Sequence, residues 1–124
     1  MKLSTYASIL GIVGILYGLG LLCIPVKFTE NYGVVLDAAG VSVARGWGIA
    51  LCSLGLIYFL NRNIPAIDSS WKGLLASSIL FNLAGVIMTI MNINSGLLNS
   101  MGWSTVAVNV IFGIGSAYFA FKKK

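Results

Sequence analysis

The chain contains no histidine, three acidic residues, two cysteines and two prolines among 124 residues. Each scarcity removes a class of chemistry. Without imidazole there is no His-ligated haem, no usual zinc triad and no Ser-His-Asp or Cys-His pair. The acids Glu30, Asp37 and Asp68 all fall outside the apolar runs or at their edges. Two carboxylates at one membrane depth, as a proton-coupled pump or di-metal site requires, are therefore absent. Cys23 and Cys52 do not form a CxxC pair, and the helix reading below places them at different depths, so they are expected to be packing thiols. The sequence calls for no metal, no cofactor and no catalytic residue, and the chain is expected not to be an enzyme.

Apolar residues are abundant instead. They make up 58% of the chain against 9% charged, and the mean hydropathy is +0.94. Soluble domains run at about 45–50% apolar and about 25% charged, and so small a domain cannot hide this surface in one core. A bilayer is the solvent that fits. Four crossings of about 20 residues each leave too little chain for a soluble catalytic domain.

The expected spans are about Thr5–Ile24, Val41–Leu60, Gly73–Met91 and Met101–Phe121. Pro25 closes the first, because a helix interior resists proline. Asp37 is placed to cap a second helix that begins before its apolar core, and Ser69 and Ser70 are cap candidates for the third. The amino-terminal apolar run continues to Cys23 and Ile24, too long for a signal h-region, so span 1 is expected to be retained. The fold class is all-α, an integral membrane up-down four-helix bundle forming one domain over 1–124. Loop 1, VKFTENYGVVLDAAG, reads as a connector able to form a short interfacial turn or helix. Loop 3, NINSGLLNS, is polar and uncharged.

Charge sets the expected orientation. With four spans, Lys2, Arg62, Lys72, Lys122, Lys123 and Lys124 share one side with Asp68, for +5, while Lys27 and Arg45 balance Glu30 and Asp37 on the other. The positive-inside rule then places both termini in the cytoplasm, in the cell inner or plasma membrane. The basic balance reports topology, and nucleic-acid binding is not required. Lys122, Lys123 and Lys124 would each gain about 1 kcal/mol beside anionic lipid. Tyr6, Tyr58, Trp71 and Tyr118 read as the inner aromatic belt, and Phe28, Tyr32 and Trp103 as the outer.

Small residues recur at helical spacing: Gly14 and Gly18 in span 1; Ala44, Gly48 and Cys52 in span 2; Asn109, Gly113 and Ala117 in span 4. Such faces let helix backbones approach in lipid, either inside the bundle or against another subunit. GIVGILYGLGLL and GIALCSLGLIYF share a Gly-Ile start and a Gly-Leu pair at one offset, a weak internal repeat. Arg45 lies four or five residues inside the outer end of span 2. Its side chain either snorkels to lipid phosphate, Glu30 or Asp37, or anchors an anionic head group, a carbonyl or a partner. Asn82 and Asn109 are expected at similar depth, where amides can pair as structural glue. With Ser78 and Arg45 they also define a candidate polar pocket opening outward.

The stretch YGLGLLCIP followed by NYG, then ARGWGIALCSLGL, resembles the small bacterial four-helix membrane proteins of the DoxX-like and related uncharacterised group. The resemblance covers about the first 60 residues. It implies an accessory subunit, since some DoxX-type relatives are associated with quinone-linked oxidoreductase assemblies, and it carries over no cofactor residue. Small multidrug exporters match in size but need a glutamate in the first span. Fluoride channels show a first-span Gly-Arg pattern absent from this chain, and thioredoxin-coupled quinone-epoxide reductases need CxxC. The expected function is thus a non-catalytic integral membrane subunit that contacts lipid and packs against a larger respiratory or oxidative complex or against itself. The alternative is a small oligomeric transporter or channel with a polar path at Arg45, Asn82 and Asn109.

Overall fold

The computed structural model describes residues 1–122. Lys123 and Lys124, part of the charge tally above, lie outside the described residues. Among those described there are five helices and no strand: α1 (Leu3–Cys23), α2 (Pro25–Glu30), α3 (Ala38–Asn61), α4 (Ser70–Asn94) and α5 (Gly102–Phe121). All but α2 are long and apolar enough to cross a membrane. Helices α3 and α4 outrun their apolar cores by about a turn at their starts. Hydropathy marks only the lipid-compatible part of a helix, whereas backbone hydrogen bonding continues to the cap.

The caps show why the helices begin and end where they do. Asp37 caps α3 as expected, its Oδ1 accepting from the Gly40 amide at 2.7 Å. At α4 the capping serines are not used. Ser69 occupies the N-cap position with helical backbone angles and no side-chain cap bond, and Asp68 Oδ1 accepts from the Ser70 amide at 2.8 Å instead. The carboxylate displaces the hydroxyl because it is the stronger acceptor beside the positive helix end. Pro25 both ends α1 and opens α2, where its missing N–H is harmless. Gly33 and Gly96 each have φ of +77°. At Gly96 the Leu97 amide reaches Asn92 O and the Gly96 amide reaches Ile93 O, a closed helix terminus that only a residue tolerant of left-handed geometry completes.

Contacts group the chain into two compact units, Met1–Asn63 and Ile64–Lys124. In the first, α1 and α3 pack antiparallel, with Gly11 against Gly55 and Gly18 against Gly48. A Cβ added at Gly18 would lie 2.6 Å from Gly48 O, and one at Gly55 would lie 2.6 Å from Gly11 O. The backbones therefore touch at two points, seven residues apart on each helix. Gly14 is in ordinary contact, its virtual Cβ 3.4 Å from Gly55 Cα. The α1 seam runs Ala7, Gly11, Gly14, Gly18, alternating steps of four and three. That 3.5-residue period keeps two left-handed supercoiled helices in register, whereas a strict four-residue step belongs to right-handed crossings.

Helix α2 folds back on this hairpin. Phe28 lies over Gly20, where an added Cβ would meet its ring at 2.5 Å. Its ring meets Tyr17 edge-on at 5.5 Å between centroids, and the Tyr17 and Tyr32 hydroxyls hydrogen-bond at 3.0 Å. Loop 1 is thus a short helix pinned by an aromatic cluster. Both cysteines are free, and Cys52 packs against Gly18.

Candidate functional site: the polar seam of the second hairpin

Helix α4 presents Ser78, Asn82, Gly85 and Thr89 at steps of four, three and four. Ser78 is 4% exposed, Asn82 4% and Thr89 8%. Opposite them, α5 presents Ser116, Gly113 and Asn109. Ser116 is completely buried, and its hydroxyl hydrogen-bonds that of Ser78 at 2.7 Å. The Asn82 Nδ2 donates to Ser78 O at 2.7 Å and to Ser78 Oγ at 3.2 Å.

The two asparagines are arranged reciprocally. Asn82 sits across from Gly113, whose virtual Cβ would be 3.4 Å from Asn82 Cβ. Asn109, half-buried, lies over Gly85, where an added Cβ would come 2.9 Å from its Nδ2. The Asn109 amide occupies the space that Gly85 vacates, whereas Gly113 meets only the Asn82 Cβ at ordinary contact distance, and the two asparagines stand about one helical turn apart. Asn82 spends its amide protons on its own helix. Apolar helices in lipid gain little from burying one another, so a seam of small and hydrogen-bonding residues is what closes such a hairpin. A coupling of about 0.6 kcal/mol is expected between Ser78→Ala and Ser116→Ala in a double-mutant cycle read by detergent unfolding.

The remaining sequence candidates fall as follows. Gly113 is on the seam, and Ala117 stands beside it, half-buried, while the fully buried position is its neighbour Ser116. Gly18 and Gly48 mark the close crossing of the first hairpin, and Ala44 is half-buried one turn from Gly48. Arg45 belongs to the first unit and is exposed. Gly48 abuts the backbone of Leu21 and Leu22. Three residues toward the start of α3, about 4.5 Å away, Arg45 is therefore level with the end of α1, where Pro25 begins α2.

Sequence reasoning missed Gly11, Gly55, Gly85 and Ser116. The first two had a signal: they are glycines shared by the weak internal repeat, at offsets zero and seven. The interface aromatics also divide. Tyr118 is 56% exposed, whereas Tyr6, Tyr58 and Trp71 are 3%, 7% and 1% exposed and serve as packing residues. Among the described residues no cluster of His, Cys, Asp and Glu is suited to a metal, and no buried side-chain N or O lacks a hydrogen-bond partner. Comparison with protein-family models, curated proteins and solved structures gives no match.

Proposed function

We propose that this chain is a non-catalytic integral membrane subunit that packs against a larger membrane complex, with both termini on the cytoplasmic side of a cell inner or plasma membrane. One observation carries the reading. Three of the four buried polar side chains among the described residues, Ser78, Asn82 and Ser116, hydrogen-bond to one another inside one hairpin, which supports a role as helix glue. The outward surface is apolar: Val43 is 72% exposed, Leu80 69% and Ile111 65%. Lipid or another membrane helix must cover it. The DoxX-like resemblance of the first half supports an accessory role beside a respiratory or oxidative enzyme.

In this reading Arg45 is an interfacial residue. Level with the end of α1, its guanidinium meets head groups or a partner loop without a charge being held in hydrocarbon. Purification of the tagged protein in mild detergent from its native membrane, with mass spectrometry of what accompanies it, tests the proposal. A larger membrane protein should remain at fixed stoichiometry through size exclusion, and Arg45→Leu should weaken that association. A lone homo-oligomer that conducts solute in liposomes would overturn the proposal in favour of a transporter with a polar path at Arg45, Asn82 and Asn109.

A further inference from the structure

One polar group of the second hairpin has no use inside it. Ser78, Asn82 and Ser116 bond to one another, whereas no hydrogen bond reaches the Asn109 carboxamide from any of the described residues. Every fully enclosed side-chain N or O among those residues has a partner, so the Asn109 Oδ1 and Nδ2 are open at the surface of the hairpin. Burial agrees: Ser78, Asn82, Thr89 and Ser116 are buried, but Asn109 and the Gly85 beneath it are half-buried.

Asn109 is the eighth residue of α5, about 10 Å from the start of that helix. An amide without partners is costly in hydrocarbon, and head groups lie too far out to meet it. A neighbouring membrane helix can bring a donor and an acceptor to that depth. The surface beside the amide has the shape for one. Phe81, Ala84, Gly85 and Met88 stand at i, i+3, i+4 and i+7 on α4, the spacing that makes a hole for a knob of a facing helix. The two middle residues are small, and Ala84 and Met88 are exposed. A Cβ added at Gly85 would lie 2.9 Å from Asn109 Nδ2 and 3.1 Å from its Oδ1. The amide therefore borders this hole and offers both a donor and an acceptor there.

We propose that the Gly85–Asn109 notch is the docking point for a transmembrane helix of the partner subunit, one that carries a side-chain amide near its centre. Such a side chain fills the hole and both donates to and accepts from Asn109. The inference rests on the subunit reading above and names a contact that serves it.

Energy transfer in vesicles between the labelled protein and synthetic poly-leucine transmembrane peptides tests it. One peptide carries a central asparagine, and its control carries leucine there. Polar bonds between model membrane helices correspond to about a five- to thirtyfold gain in association, and wild type should prefer the asparagine peptide by that factor. Asn109→Leu keeps the branched outline of the side chain and should bind both peptides alike. It should unfold no more readily than wild type, because no internal hydrogen bond is lost. Asn109→Ala, which adds no apolar bulk, repeats the comparison if the leucine variant does not fold. Equal binding of the two peptides by wild type, or a preference that survives in the variants, overturns the proposal. A dimer of the chain itself that disperses in Asn109→Leu overturns it in favour of a second copy. Purification from the native membrane separates the two readings: a wild-type chain that arrives alone removes the subunit reading and this inference with it, whereas variants that keep the larger partner at fixed stoichiometry remove only this site.

Discussion

Replacing Gly55 with alanine should lower the stability of the first hairpin by about 1–3 kcal/mol, the usual range for forcing extra volume into a packed interface. The added methyl would meet Gly11 O at 2.6 Å and Ile15 N at 2.8 Å. Both are backbone atoms, so no side chain can rotate away and the helices must separate. Gly18→Ala should behave alike, since its methyl would meet Gly48 O at 2.6 Å and Cys52 N at 2.7 Å. Two glycines on the same helices serve as controls. At Gly14 the nearest atom would be 3.4 Å away, and at Gly46 nothing lies within 4 Å. Gly14→Ala and Gly46→Ala should be neutral, or stabilising by up to about 1 kcal/mol through helix propensity. Unfolding of each variant by denaturing detergent, followed by circular dichroism, separates the two pairs. Equal losses at Gly46 and Gly55 would mean that the close crossing is not what holds the hairpin.

That contrast also shows what the sequence made legible. Span number and approximate limits follow from composition, because lipid imposes one length on every crossing helix. The Asp37 cap was legible for a similar reason: an acid just before an apolar run has few other uses. Which small residues touch was harder to read. Any glycine-rich span contains several four-residue steps, and a step of four picks Gly14 with Gly18 and Gly113 with Ala117. The alternation of four and three that the helices use becomes visible only when two spans are compared, as in the repeat beginning at Gly11 and Gly48. In the second hairpin no repeat is present to compare. Ser116 belongs to no motif in the sequence, and its role appears only when the register sets it against Ser78. Arg45 illustrates a different limit. Its height relative to the end of α1 comes from the packing of Gly48 on Leu21 and Leu22, a pairing between helices that no single span displays.

Trp71 gives the second large effect. In sequence it stands beside Lys72 at a span boundary, the usual place of an interface tryptophan that lies among head groups. In the structure it is 1% exposed, and its Nε1 donates to Ile64 O at 3.1 Å. It therefore fills the base of the α4–α5 hairpin and ties the preceding segment to the start of α4. Trp71→Ala should destabilise this hairpin by about 3 kcal/mol, the lower end of the range for truncating a buried tryptophan. The lower end applies because detergent already solvates apolar groups, so the loss comes from packing and from the hydrogen bond. Trp71→Phe keeps most of the ring volume and removes the donor, and should cost about 1–2 kcal/mol by leaving the Ile64 carbonyl unpaired. Trp103, 51% exposed, is the matched control, and Trp103→Ala should stay within about 0.5 kcal/mol of wild type. Thermal unfolding in one detergent ranks the three variants. A Trp71→Ala protein as stable as Trp103→Ala would return Trp71 to the head-group belt and remove it from the core.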